Sequence, residues 1–304
     1  MSLLVVGSIG LDTVKTPVEE HSDLLGGSAS YAALGASFFT AINLVGIVGD
    51  DFPESEFEFW KSRDIDTAGV QRVNGKTFRW SGEYAWDLNT RETRSIALNV
   101  FEHFRPVLPA KYRETPFVLL ANIAPKLQSH VLGQMERPHF VVADTMDLWI
   151  ETTRGDLEAL LRRVDLLILN DSEAREMTKE TSLIRAGRKI RGFGPRYVAI
   201  KKGEHGALLF GQEEFFSCGA YPLEDIHDPT GAGDTFAGGL AGYVAAHARE
   251  NVTFELLRKA MIYGSVLASF CVEAFSLDRL LRLTRAEIDG RFRLFKELMH
   301  FEPL

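Results

Sequence analysis

Residues 166–200 read LLILNDSEAREMTKETSLIRAGRKIRGFGPRYVAI. Two continuous apolar runs, Leu166–Leu169 and Tyr197–Ile200, bracket a helical pattern over Ser182–Arg191. Strands apolar on both faces are what a parallel sheet covered by helices requires. The stretch therefore predicts a strand–helix–strand crossover. Runs of the same kind recur at Leu3–Gly7, Ile42–Val48, Phe117–Ala121 and Phe140–Ala143. Helical patterns lie between and after them, over Ser28–Phe39, Ser55–Arg63, Leu127–Met135, Asp156–Arg163, Asp234–His247, Phe254–Phe270 and Arg285–Leu298. Such alternation predicts an α/β fold with a doubly wound, mostly parallel sheet. No internal repeat or low-complexity linker divides the chain, so residues 1–304 are expected to form one main domain.

One region breaks the alternation. Lys76–Val100 holds two period-two stretches, Phe78–Trp86 and Thr93–Val100, around the polar segment Asp87–Glu92. This predicts a β-hairpin in a small sheet standing off the main body. In its first strand Phe78, Trp80, Tyr84 and Trp86 share one face with Gly82. Two readings suit that stripe. It packs on the core or on a second subunit, or it is a lid whose aromatic face closes over a ligand.

Composition narrows the function. The 304 residues carry 42 acidic and 34 basic side chains, a net charge of −8. That balance argues against nucleic acid or an anionic membrane as the main partner, because both reward clustered Lys and Arg. At 45% hydrophobic and 25% charged, the chain is expected to be globular rather than disordered. Cys218 and Cys271 lack the spacing of a zinc site or a disulfide framework. The N-terminus has no basic region before its short apolar run, and no stretch approaches the ~20 apolar residues of a membrane span. A cytoplasmic location is expected.

The chemistry centres on Asp228-Pro229-Thr230-Gly231-Ala232-Gly233-Asp234-Thr235-Phe236. Gly231, Ala232 and Gly233 offer backbone N–H groups with little side-chain obstruction. They open a helix, whose N-terminus carries roughly half a positive charge and stabilises an anion. Asp234, in the first turn, is placed to take a proton from a hydroxyl beside that anion. Asp also suits a helix start for its own sake. A carboxylate next to donors for developing negative charge is nevertheless what phosphoryl transfer to an alcohol needs.

This string resembles the C-terminal signature of the ribokinase-like, or PfkB, family of carbohydrate kinases. The resemblance implies an α/β core with a β-sheet lid formed by about residues 12–26 and 76–101. It also implies ATP as phosphoryl donor, with Asp234 as catalytic base and Gly231, Ala232 and Gly233 as its anion hole. The early Gly26-Gly27-Ser28 resembles the family's second signature, where the turn contacts acceptor hydroxyls; Ser28 is also suited to cap the next helix. Tyr31 stands where many sugar kinases of the family have an acceptor-binding Asn, a departure that bears on the acceptor. Asp12 matches an aspartate that grips two acceptor hydroxyls. Asn170 and Glu173 match the family's Asn-x-x-Glu, which orders Mg²⁺ and phosphate through water. Lys201, Gly203 and Gly206 match a strand–turn–strand beside the nucleotide, and Ser265 falls at the adenine slot. Gly46–Asp51 matches a structural second-strand turn, and Asp144 ends a strand at the sheet edge where ligands gather.

Rival motifs are missing. The sequence contains no Gly-x4-Gly-Lys-Ser/Thr, no Gly-x-Gly-x-x-Gly after the first strand and no Gly-x-Ser-x-Gly elbow. The expected protein is an ATP-dependent, Mg²⁺-assisted kinase acting on a hydroxyl of a small sugar, with a monovalent cation as a further candidate cofactor. The alternatives are a nucleoside or inositol kinase of the same family, or a catalytically silent ligand-binding protein on this fold. Because lids of the family often pair between subunits, a homodimer joined through the lid sheets is also expected.

Overall fold

Thirteen strands form two sheets in the computed structural model, which describes residues 1–300. In chain order the first seven are β1 (Ser2–Val6), β2 (Gly10–Lys15), β3 (Glu20–Gly26), β4 (Ala41–Val48), β5 (Ile65–Arg72), β6 (Phe78–Tyr84) and β7 (Arg91–Ala97). There follow β8 (Phe117–Leu120), β9 (Phe140–Asp144), β10 (Leu166–Asn170), β11 (Tyr197–Lys201), β12 (Ala207–Phe210) and β13 (Phe215–Cys218). The main sheet has the order β13-β12-β11-β10-β9-β8-β1-β4-β5. From β11 to β5 every pairing is parallel, and β12 and β13 add an antiparallel edge.

The uninterrupted apolar runs make sense against this sheet. Alternate side chains of a strand enter opposite layers. Leu3, Val5, Leu166 and Ile168 join one core, beneath the helices Ser28–Ser37, Ala232–His247 and Phe254–Cys271. Leu4, Val6, Leu167 and Leu169 join the other, beneath Pro125–Leu132, Arg154–Leu161, Asp171–Thr178 and Leu183–Arg191. No helix among the described residues is long and apolar enough to cross a membrane.

The small sheet has the order β3-β2-β6-β7, with β2 and β6 parallel and the other pairs antiparallel. Its hairpin differs from the expected one in bounds. The first strand ends at Tyr84, where a turn over Ala85–Thr90 begins, and the second runs from Arg91 to Ala97. A register shift between Ser81 and Gly82 leaves Arg94 of the second strand without an opposite number, while the first strand pairs with β2 without a break. Trp86 lies beyond the end of the first strand and is 87% exposed, so it does not belong to the aromatic face. Val14, Tyr84 and Phe275 form a small core that joins this sheet to the loop after Cys271.

Candidate active site

The parallel strands deliver their carboxyl ends to one edge of the main sheet, where open α/β sheets gather ligands. Asp144 closes β9, Asn170 closes β10 and Lys201 closes β11. Facing them is the start of the helix Ala232–His247. Gly231 precedes it in a left-handed conformation, φ +74°, and a Cβ there would overlap the ring of Tyr31. Only glycine fits that position. Among the described residues the amides of Gly231 and Gly233 have no backbone acceptor, as befits a first helical turn.

Asp234 sits in that first turn. Burial raises its pKa to about 7, with the Asp144 charge adding to the shift and Lys201 and Arg91 opposing it. The Lys201 ammonium lies 3.4 Å from Asp144 and would touch any Cβ placed on Gly233. Burial works against that ammonium, but Asp144, Glu173 and Asp234 outweigh it and hold its pKa above the ordinary value. Asn170 and Glu173 form a reciprocal helix cap. Asn170 Oδ1 accepts from the Glu173 amide at 2.8 Å, and Glu173 Oε2 accepts from the Asn170 amide at 2.7 Å. Burial lifts Glu173 to a pKa of about 7 despite Lys201. No three His, Cys, Asp or Glu side chains among the described residues are grouped to ligate a metal directly.

Asp12 reaches the same region from the small sheet. It is 5% exposed, and its Oδ1 has no hydrogen-bond partner. Burial raises its pKa to about 7, against the pull of the Gly27 amide, with Asp228 and Asp234 adding to the rise. Its carboxylate occupies the space a Cβ on Gly26 would need, so Gly26 is the complement of Asp12, while a Cβ on Gly27 would meet the backbone of Ser8 and Ile9.

Two residues of the second signature have other neighbours. Ser28 does not cap its helix, because Gly27 occupies the cap position. Its hydroxyl accepts from the Ser8 amide at 3.2 Å and donates to the Asn122 carbonyl at 3.1 Å, so it ties three strand ends together. Tyr31 is 2% exposed and packs with Leu34, Val266 and Phe270, its ring underlying Gly231. Gly203 and Gly206 bound the turn between β11 and β12, which the hairpin tip approaches through Asn89 Nδ2 and Glu204 Oε1, 3.4 Å apart. Ser265 lies on the helix Phe254–Cys271 with its hydroxyl against the Cys218 thiol.

Four further residues reach the site: Asp228 and Thr230 of the glycine-turn string, Tyr84 of the aromatic stripe, and Arg91, which alone has no mark in the sequence. The fully buried Asp228 accepts from the Thr230 amide at 2.8 Å and the Ser276 amide at 3.1 Å. The hydroxyls of Tyr84 and Thr230 are 3.1 Å apart. Arg91 lies opposite Tyr84 in the sheet, with its guanidinium over the Trp80 ring. Only the proximity of a hairpin to a turn some 140 residues away makes Arg91 visible.

The chain is similar to known proteins in sequence and in fold. Residues 134–281 match the family model described as pfkB family carbohydrate kinase. Over 251 residues the chain is 30% identical to a cytidine kinase from Thermococcus kodakarensis, an alignment covering 80% of this chain and 88% of the relative. The chain belongs to the PfkB family of carbohydrate kinases. A member of this family is a phosphotransferase with an alcohol group as acceptor, and the expected activity class stands. Among solved structures the fold resembles ribokinase from Giardia lamblia, with a TM-score of 0.79 and 18% identity over 97% of this chain and 99% of that one. It equally resembles a Burkholderia thailandensis nucleoside kinase in complex with inosine, with a TM-score of 0.78 and 18% identity over 96% and 97% of the two chains. The expected ribokinase-like α/β fold, with its small separate sheet, is the observed one.

Proposed function

We propose that the protein is an ATP-dependent kinase that phosphorylates a nucleoside hydroxyl, with Asp234 as general base. The observation that carries this reading is Asp12, which reaches from the small sheet to within range of the Asp234 charge and is buried there. Asp12 keeps a buried, unpartnered oxygen there, which a ligand hydroxyl would satisfy. Asp234, titrating near neutrality, is suited to take the proton of a second hydroxyl. The Gly231 and Gly233 amides then face the charge that develops on the transferring phosphoryl group, whereas the Ala232 amide is donated to the Pro229 carbonyl.

A nucleoside is favoured over a free sugar by the similarity to the cytidine kinase and by the aromatic inner face of the small sheet. Trp80 lies on the same face as Asp12 and is only partly buried, so a base has a surface to stack on. In this reading the small sheet is the lid, and its closure excludes water from the phosphoryl group.

Lys201, Gly203, Gly206 and Ser265 form the nucleotide side. Glu173 suits a hydrated Mg²⁺. It spends Oε2 on the Asn170 amide and keeps its other oxygen for a metal-bound water, and Mg²⁺ retains its waters readily. When bound, Mg²⁺ would neutralise the phosphates of ATP. The deciding experiment is ATP turnover over cytidine, inosine, ribose and myo-inositol, each with and without K⁺. Turnover of the nucleosides well above that of ribose supports the reading. Preferred turnover of ribose returns the acceptor to a sugar, and tight binding without turnover identifies a silent binding protein.

A further inference from the structure

Charge is unevenly distributed where the phosphoryl group would lie. Asp144, Glu173 and Asp234 surround Lys201, so that cation is largely offset by carboxylates already present. Phosphoryl transfer is accelerated by cations aimed at the oxygens of the group in flight. The small sheet holds a candidate. Arg79 is paired with Asp23 and with Asp51 of the turn after β4, and Arg94 with Glu83. Arg91 differs from both.

Arg91 opens β7 directly opposite Tyr84, and directly opposed residues share a face. It therefore lies on the inner side, next to the residue whose hydroxyl meets Thr230 in the glycine turn. Its guanidinium lies 5.3 Å above the Trp80 ring, which orients the side chain without neutralising it. Among the described residues it forms no ion pair, and its field reaches Asp234.

We infer that Arg91 is a catalytic arginine carried by the small sheet, which closes its guanidinium onto the transferring phosphoryl group. The inference rests on the phosphotransfer reading above. In that step the acceptor oxygen forms a bond to the γ-phosphorus, and its proton passes to Asp234. The bond from that phosphorus to the bridging oxygen breaks, and its electron pair leaves on ADP. Arg91 neutralises charge on the oxygens between them and takes part in no bond change.

The test compares wild type, Arg91→Gln, Arg91→Lys and Asp234→Asn. Calorimetry measures ADP affinity with and without aluminium fluoride, a mimic of the phosphoryl group in flight, and turnover is followed with cytidine and ATP. Arg91→Gln is expected to lower kcat by ~10²-fold or more while ADP affinity and cytidine KM stay near wild type. It should also remove the gain in ADP affinity that aluminium fluoride confers. Arg91→Lys should recover only part of that gain, since it keeps the charge but not the planar fork. Arg91 is exposed, and unchanged circular dichroism would show that the variants fold. A retained gain in Arg91→Gln, or a defect confined to cytidine KM, overturns the inference. If Asp234→Asn also leaves kcat intact, the phosphotransfer reading falls with it; if only Arg91→Gln is silent, that reading survives alone.

Discussion

Tyr84 and Thr230 stand 146 positions apart in the chain, yet their hydroxyl oxygens lie 3.1 Å from one another. The bond crosses from the small sheet to the glycine turn. Tyr84→Phe removes it and little else. A partly buried hydrogen bond contributes about 1 kcal/mol, roughly fivefold in an equilibrium constant. Steady-state kinetics should show acceptor KM rising by about that factor, with the fold unchanged by circular dichroism. An unaltered KM would mean that the contact does not hold the sheet closed.

Protonation supplies a second prediction. A base must be ionised to act, and burial holds Asp234 at a pKa of about 7. The pH profile of kcat/KM should therefore climb through pH 7 on its acidic limb, and Asp234→Asn should lower kcat by ~10²-fold or more. Stability should move the opposite way. Asp12, Glu173 and Asp234 all have folded-state pKa values raised to about 7, so the folded chain binds more protons than the unfolded one in the interval below. The stability they contribute is complete below the unfolded carboxylate range and is lost as pH rises through 7. Melting of the free protein should show Tm falling between pH 5 and pH 8, and less so in Asp12→Asn.

Glu173→Gln separates the metal role from the cap. The amide oxygen can still accept from the Asn170 amide, so the helix start is kept. Without the carboxylate charge, the Mg²⁺ concentration giving half-maximal rate should rise several-fold while acceptor KM stays in place. Superimposable Mg²⁺ titrations would leave Glu173 with the cap alone.

Trp80→Ala distinguishes the two faces of the small sheet. Trp80 lies inward beside Asp12, whereas the outer face carries Lys15, Glu83 and Arg94 in a linked set of ion pairs. The substitution should raise acceptor KM and leave the sedimentation coefficient unchanged. A homodimer joined through the outer faces is the expected assembly, and a wild-type monomer at micromolar concentration would exclude it.

The sequence reveals what repeats and what is local. Strands such as Leu166–Asn170 are apolar at every position because both faces are covered, and such a run has few other readings. The edge strand β5, Ile-Asp-Thr-Ala-Gly-Val-Gln-Arg, is buried only in part and mixes polar with apolar residues, so its pattern is lost. Every residue of β7 is exposed, and Arg91 there is indistinguishable from any solvated arginine. The glycine turn could be read because its residues are contiguous. Its partners Tyr84, Arg91 and Ser276 come from distant segments, and composition gives no measure of such distances. Ser28 shows a local rule giving way. Its hydroxyl is better satisfied across the sheet edge, by Ser8 and Asn122, than by the helix it begins.

Asp228 has a mechanical consequence. One of its oxygens holds the amide of Thr230 and the other the amide of Ser276, one position from the Phe275 that packs on the small sheet. The turn that faces the phosphoryl group and the loop that rests against the sheet thus hang from a single carboxylate. Tension applied at either one is carried to the other. If the small sheet opens as a lid to release product, it would pull on the same tether that shapes the turn, and the turn would keep its geometry only while the sheet is shut. An enzyme wired in this way would disarm itself whenever water could enter.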